Sequence, residues 1–443
     1  MTAPASPPRL PPLQKETTAG NYFVANYPPF SFWKTDRVPE LAAALDQSWQ
    51  APGVTPPPLG LYAHIPFCRK RCHFCYYKVY TDKDSSEIRH YLDALLKELS
   101  VYAAKPWVAG RRPRFIYFGG GTPSYLSPEQ LRHLTDGMKR LLPWDEAEEV
   151  TFEAEPGTLT DHKLAAIRAL GVTRLSLGIE HFDDHILEVN GRAHRSKEID
   201  RAYRYAREIG FPQINIDLIA GMVEETEEKW RETVARAVAL EPDSVTIYQM
   251  EVPYNTGIYQ QMKAEGKLVA PVADWATKRA WVSHAYDEFE KRGYTVTSAT
   301  TVVRDPARVK FLYRQGLFSG ADILSVGVAS FGHLHGVHYQ NHHEFTPYLE
   351  RVDRGEPPVY RALTPSAEER YIREFILQLK LGQVSRAAFQ AKFGADPLVH
   401  FAEPLRRLES WGFLAVDGDT LRVPRAGLLQ MFFLPEHRGG RYA

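Results

Sequence analysis

The stretch HIPFCRKRCHFCYY (64–77) holds all three cysteines of a 443-residue chain, Cys68, Cys72 and Cys75, in the spacing C-x3-C-x2-C. Thiolates at this spacing converge on one soft metal centre. A structural zinc would need a fourth ligand, which His64 or His73 could supply. A [4Fe–4S] cluster held by three thiolates instead leaves one iron open, and an open iron is a binding site. Other residues have chemistry to offer. GGGT (119–122) sets glycines where a backbone can approach a ligand closely and turn N–H groups on a carboxylate; alone it reads as a tight turn. Glu153 and Asp217 are acids inside apolar runs, where burial is costly without a partner. Arg192 can hold a carboxylate through two parallel hydrogen bonds. For each of these the alternative is a structural buried ion pair, and for Tyr62 it is ordinary strand packing.

The elements that must position these groups follow a β-α rhythm from Gly60 onward. Apolar runs at 61–65, 114–118, 149–155, 173–179, 213–220 and 244–250 read as strands, separated by amphipathic helical stretches. Ser127-Pro128-Glu129-Gln130 predicts a capped helix start, and Gly171 and Gly210 predict helix ends. Six such units predict an α/β fold with a parallel sheet, closed or partly closed as a barrel, and functional groups at the C-terminal strand ends. The cysteine loop and GGGT both follow strands directly. From Thr364 the pattern changes to helices at 366–380, 386–393 and 397–411 and a hairpin turning at Asp417-Gly418, a winged-helix-like unit.

The motifs in this order resemble one family. C-x3-C-x-aromatic-C after the first strand resembles the radical S-adenosylmethionine (SAM) superfamily. LYAHIPFC (61–68), IYFGGGTPS (116–124), FEAEPGTL (152–159), SLGIEHFDD (176–184), NGRAHR (190–195) and INIDLIAG (214–221) are similar to the family of oxygen-independent coproporphyrinogen III oxidase (HemN) and the haem chaperone HemW. The resemblance implies a partial (β/α)6 TIM-like barrel with a HemN-type C-terminal domain. It implies a [4Fe–4S] cluster on Cys68, Cys72 and Cys75, with SAM on the open iron. An electron from the cluster then cleaves SAM to methionine and a 5′-deoxyadenosyl radical. It also implies Tyr62 beside the cluster, Phe74 near the adenine, Gly120, Gly121 and Thr122 at the methionyl group, and Glu153 at its amino group. Arg192 is implied at its carboxylate, and Glu180 and Asp217 near the ribose.

The chain departs from the pattern at several points. Tyr77 stands where the decarboxylating oxidase has a further cysteine, and Glu180 where the family usually has Gln. Ala220, Met222 and Val223 replace the family's common tyrosine, leucine and proline. The first expectation is oxidase-like chemistry on a propionate-bearing porphyrinogen. The others are a methyltransferase or cyclopropanase using two SAM molecules, and a HemW-like chaperone. A small-molecule substrate, tetrapyrrole or other, and a flavodoxin- or ferredoxin-type electron donor are the implied partners.

Two further segments bear on the substrate. Arg304, Arg308, Lys310 and Arg314 could meet substrate carboxylates, with a solvated helix face the favoured reading. Five histidines, His333, His335, His338, His342 and His343, offer protons, a metal site or haem ligation. One or two are expected to line the site.

Composition bounds the rest. Lys+Arg and Asp+Glu both number 54, which excludes the basic footprint of a general nucleic-acid binder. No apolar run approaches the ~20 residues of a membrane helix. MTAPASPPRLPPLQ has no apolar signal core, and the cysteines are not spread as a disulfide scaffold, so a reducing cytoplasm is expected. The expected organisation is an arm over 1–58, a core barrel with its extension over 59–345, and a C-terminal domain over 346–443. The arm's aromatic stretch, Asn21 to Trp33, either packs against the barrel or covers the active site.

Overall fold

The computed structural model describes residues 26–267 and 271–430. Six parallel strands carry the fold: β1 (Leu59–Ile65), β2 (Phe115–Gly120), β3 (Glu149–Ala154), β4 (Arg174–Glu180), β5 (Gln213–Ala220) and β6 (Ser244–Gln249). Each falls on one of the predicted apolar runs. Helices cross between them on the outside. Helix Pro128–Leu141 starts as its sequence predicts, with Ser127 and Gln130 exchanging capping hydrogen bonds, and the helices before Gly171 and Gly210 end where those glycines adopt positive φ.

The sheet extends past the six strands on both sides. The hairpin β7 (Thr295–Ser298) and β8 (Thr301–Val303) lies antiparallel beyond β6. On the other side β9 (Asp322–Val326) returns parallel to β1, and β10 (Phe331–Leu334), β11 (Val337–Asn341) and β12 (Val359–Leu363) continue antiparallel. The result is one open twelve-stranded sheet. β12 belongs to it, although the sequence reading placed everything beyond 345 in the C-terminal domain.

Period-two alternation divides each central strand into two faces. Leu61, Ala63 and Ile65, then Leu175, Leu177 and Ile179, then Ile214, Ile216 and Leu218 are fully buried in the core shared with the helices. Their neighbours turn to the concave side and are polar: Tyr62, His64, Thr151, Glu153, Arg174, Ser176, Asn215, Asp217, Thr246 and Tyr248. A parallel sheet covered on both faces carries apolar residues on both. Here only the outer face does, so the inner face lines a polar lumen.

The N-terminal arm packs over the far edge of the sheet. Lys34 bridges to Ala362, and buried Trp33 stacks on His338 with ring centroids 5.3 Å apart. Residues 21–25 of the aromatic stretch lie outside the described residues; its described part covers β10 and β11.

The C-terminal unit has its own apolar core around Tyr371, Phe375, Phe389 and Leu421. Its helices are Ala367–Leu379, Arg386–Phe393, Pro397–His400, Ala402–Ser410 and Arg425–Gln430. The predicted single helix over 397–411 breaks at Phe401, because Pro404 has no N–H to give the carbonyl of His400. The hairpin of β14 (Ala415–Asp417) and β15 (Thr420–Arg422) turns at Gly418, and β13 (Gln383–Ser385) joins it as a third strand.

Candidate active site

The cysteine loop leaves the C-terminal end of β1 and is pinned on both flanks. Cys68 N–H donates to Tyr80 O, and Tyr80 N–H returns to Pro66 O. His73 N–H donates to Asn190 O, and its own carbonyl accepts from Ile258 N–H. Arg71 holds the carbonyls of Cys75 and Asn255. The three thiols are near enough to oppose one another's ionisation. Burial, with its neighbours adding, pushes the Cys68 thiol up to about 12 and the Cys75 thiol up to about 11. Three thiolates persist in such a place only with a cationic centre among them.

That donor set fits a cluster better than a single zinc. No group of three or more His, Cys, Asp or Glu side chains among the described residues is gathered as one ion requires. The expected fourth zinc ligands each engage one ring nitrogen, His64 Nδ1 at 3.0 Å from Tyr62 Oη and His73 Nδ1 at 3.1 Å from Val189 O, and His64 Nε2 is buried without a partner.

The glycine turn after β2 wraps this loop. Gly121 N–H donates to Ile65 O, Thr122 N–H to Phe67 O, and Thr122 Oγ1 lies 3.2 Å from Cys68 Sγ. A Cβ at Gly121 would lie 2.9 Å from the Pro66 carbonyl carbon and 3.0 Å from Cys68 Sγ. Gly120 has φ of +116°, and a Cβ there would meet the His64 ring at 2.6 Å. The turn requires glycine for both space and backbone.

Arg192 joins the cysteine loop to β4. It reaches in from the loop before helix Ser196–Glu208, donates to Cys72 Sγ at 3.4 Å and to Gly178 O, and lies 3.6 Å from Glu180. Glu180 has φ of +66°, a strained conformation for a residue with a Cβ, at a bulge where β4 slips against β5. Three carboxylates face the lumen here. Glu153 accepts from Tyr117 Oη and Gly120 N–H, while Asp217 accepts from Ser176 Oγ and Asn215 Nδ2. Burial raises all three, Glu153 and Glu180 to about 7 each, and Asp217 adds to the shift of both.

The structure brings Cys68, Cys72, Cys75, Gly120, Gly121, Thr122, Glu153, Glu180, Arg192 and Asp217 to one end of the lumen. Tyr62 stands on its wall with Tyr117 and Tyr313. Phe74 packs with Met222, Met250 and Val252 beyond β5 and β6. Tyr76 and Tyr77 stack 4.6 Å apart and are 46% and 49% exposed, yet their surroundings desolvate them enough to push the Tyr77 hydroxyl up to about 12. Side chains both open to solvent and crowded stand in a concavity, the mouth of the lumen.

The histidine expectation is corrected. None of the five joins the lumen. β10 and β11 extend the sheet beyond β9, so His333 and His338 face each other under Trp33 and His342 and His343 flank Tyr360. His335 packs on Trp107. Of the four basic residues in 302–314, Arg304, Arg308 and Lys310 are exposed and Arg314 turns inward.

Sequence reasoning missed a support behind the loop. Glu155 accepts from Arg69, beside Cys68, and from Gly157 N–H, and His194 Nδ1 lies 2.8 Å away. His194, Arg192 and Arg69 overcome burial and hold the Glu155 carboxyl down at about 2. It also missed Arg174 and Tyr248. Their signal was present as polar residues two apart within apolar strands, R-L-S at 174–176 and T-I-Y at 246–248.

Comparison with known proteins gives concordant matches. Residues 62–237 match the radical SAM superfamily model and residues 366–429 the HemN C-terminal domain model. The oxygen-independent coproporphyrinogen III oxidase of Synechocystis is 29% identical over 398 residues, covering 84% of this chain and 83% of its own. The heme chaperone HemW of Bacillus subtilis is 29% identical over 370 residues, covering 83% and 96%. The solved coproporphyrinogen III oxidase HemN of Escherichia coli superposes with a TM-score of 0.78 at 24% identity, covering 93% of this chain and 96% of that one. No helix among the described residues is long and apolar enough to cross a membrane.

Proposed function

The chain belongs to the HemN-like family of the radical SAM superfamily, and we propose that it acts on a coproporphyrinogen-like tetrapyrrole held in the polar lumen. The cofactors of the family are a [4Fe–4S] cluster and SAM. When bound, they supply an electron and a 5′-deoxyadenosyl radical able to take a hydrogen atom from a substrate. In this reading Cys68, Cys72 and Cys75 hold the cluster, and the turn Gly120–Thr122 and Glu153 hold the methionyl end of SAM. Arg192 pairs with its carboxylate, Glu180 and Asp217 face its ribose, and Phe74 walls the adenine side. Glu153, raised to about 7, becomes a full anion when an ammonium group sits against it. The lumen wall of Tyr62, Tyr117 and Tyr248 gives the pyrrole rings of such a macrocycle aromatic edges and hydroxyls to rest on.

One observation carries the reading: Arg192 touches Cys72, Gly178 and Glu180 at once, tying the cluster loop to the strand that faces the substrate chamber. The chain's span of 96% of the HemW sequence, with Tyr77 in place of the oxidase's further cysteine, favours haem binding as the second reading. The electron donor is a flavodoxin or ferredoxin and the compartment the cytoplasm, as the superfamily's chemistry and cysteines not spread as a disulfide scaffold suggest.

The test is anaerobic reconstitution followed by incubation with SAM, dithionite and coproporphyrinogen III. Carbon dioxide release with vinyl formation and no S-adenosylhomocysteine is the expected result. S-adenosylhomocysteine with carbon gain by the substrate would establish a methylase instead. Stoichiometric haem uptake without turnover would establish the chaperone.

A further inference from the structure

The closed end of the lumen holds two arginines, neither in an ion pair among the described residues, although the charge of Glu149 bears on Arg314 and that of Arg174 lowers Asp217 and Glu153. Segment 311–313 crosses the N-terminal strand edge: Leu312 and Tyr313 N–H groups donate to the Glu149 carboxylate at the start of β3, and the Tyr313 ring packs tilted against Tyr117 and Tyr62. Arg174, the first residue of β4, is 2% exposed. Its side chain forms no hydrogen bond or ion pair among the described residues, and its Nε is buried without a partner. Its guanidinium lies 4.1 Å from the centre of the Phe311 ring. Arg314 lies 5.2 Å from the same ring, donates once to Thr301 Oγ1, and likewise buries its Nε without a partner.

The nearby acids are already engaged. Glu149 is taken by Leu312, Tyr313 and Thr151, Asp217 by Ser176 and Asn215, and Glu153 by Tyr117 and Gly120. Burial and Arg174 together lower Arg314 to about 10, so the pair is two like charges in a desolvated place. Such an arrangement is costly unless an anion arrives to share them. Solvent reaches the lumen wall above, where Tyr248 is 48% exposed. Charge along the lumen is also graded, with the carboxylates Glu153, Glu180 and Asp217 toward the rim and the guanidiniums at the floor.

We propose that Arg174 and Arg314 form a subsite at the floor of the lumen that takes a carboxylate of the substrate, with Phe311 as its apolar platform. Guanidinium forks match carboxylates in geometry and charge, and a phenyl face holds the methylenes that carry the group. A substrate bound this way has one acidic arm buried at the floor and the opposite side of the molecule turned up to the cysteine rim. The proposal rests on the lumen being the substrate chamber.

Two probes test it on the reconstituted full chain: coproporphyrin III by fluorescence titration, and carboxyl-13C propionate by NMR line broadening. R174Q and R314Q are each expected to weaken coproporphyrin III on the order of tenfold to a hundredfold, the effect of a lost charged hydrogen bond in a buried site, and to abolish propionate broadening. R174K and R314K keep the charge, guard against a folding artefact, and should retain part of both signals. If all four variants bind both probes as the wild type does, the subsite is overturned. If the wild type ignores coproporphyrin III but propionate broadening still depends on the two arginines, the subsite stands and the tetrapyrrole reading falls. If R174Q loses SAM in equilibrium dialysis, the pair serves the cofactor's carboxylate and the substrate assignment is overturned.

Discussion

The two ends of the lumen are built on opposite terms. At the rim most polar groups have a partner inside the protein, Arg192 Nε and His64 Nε2 being exceptions. The cysteine loop is tied to Tyr80, Asn190 and Ile258, Glu155 is held by Arg69 and His194, and Glu153 is capped by Gly120. At the floor Arg174 has no polar partner and Arg314 has one. A rim whose donors are already aimed binds a cofactor at little reorganisation cost. A floor with unspent charge waits for a ligand to complete it. On the proposed reading, the contrast separates the part that makes the radical from the part that chooses what the radical meets.

The rim side of this comparison breaks most completely at a cysteine. Cys72→Ala removes one thiolate and the contact of Arg192. Iron and sulfide content after reconstitution should fall to background, and SAM cleavage with it; retained cleavage would overturn the assignment of the cluster to this loop.

Glu155 comes next. Its folded pKa of about 2 lies below the ordinary glutamate value of 4.5. The stability it contributes is therefore full above about 4.5 and is lost as pH falls through 2. Glu155→Gln should cost about 3–4 kcal/mol at pH 7, since one pKa unit is worth about 1.4 kcal/mol. Urea unfolding at pH 7, 4 and 2.5 reads this directly: the wild type should lose its advantage over the variant toward the lowest pH. An equal gap at all three would mean that the carboxylate's charge is not what matters.

Gly121→Ala tests whether the turn and the cysteine loop are one packed unit. The added methyl meets the Pro66 backbone and Cys68 Sγ at 2.9–3.0 Å, and neither is the end of a flexible side chain. Overpacking of this kind costs about 1–3 kcal/mol. Thermal melts and cluster loading should fall together. A drop in stability with normal loading would uncouple the turn from the loop.

The sequence made the outer face of the barrel legible and the inner face only partly so. Apolar runs such as 213–220 announce their strands because the helices demand an apolar surface. The rim was readable because its cysteines and glycines crowd into short motifs. Glu155, Arg174 and Tyr248 were not, because each acts through residues far along the chain: Glu155 through Arg69 and His194, Arg174 through Phe311. The histidines misled for the same reason in reverse. Their density suggested a site, but the hairpin that carries them pairs at the outer edge, where Trp33 covers it. The break at Phe401 was written in the sequence as Pro404, inside a pattern otherwise helical.

The smallest expected effect discriminates most finely. Glu180 sits at φ of +66° on a bulge, with its carboxyl raised to about 7 and Arg192 at 3.6 Å. For a residue with a Cβ that backbone costs about 1–2 kcal/mol, and glycine would relieve it. Glycine also returns about 0.5–1 kcal/mol of entropy to the unfolded chain. Glu180→Gly should therefore be stabilised by no more than about 1.5 kcal/mol, the difference of these two costs. A rim kept for packing alone would accept that change without loss. A rim that holds strain in order to aim a carboxylate would not, and SAM affinity by equilibrium dialysis should weaken while the melting temperature holds or rises. Glu180→Gln keeps the acceptor oxygen and removes the charge, so it separates aim from charge: affinity recovered in Gln but not in Gly would assign the strained backbone to positioning a hydrogen bond.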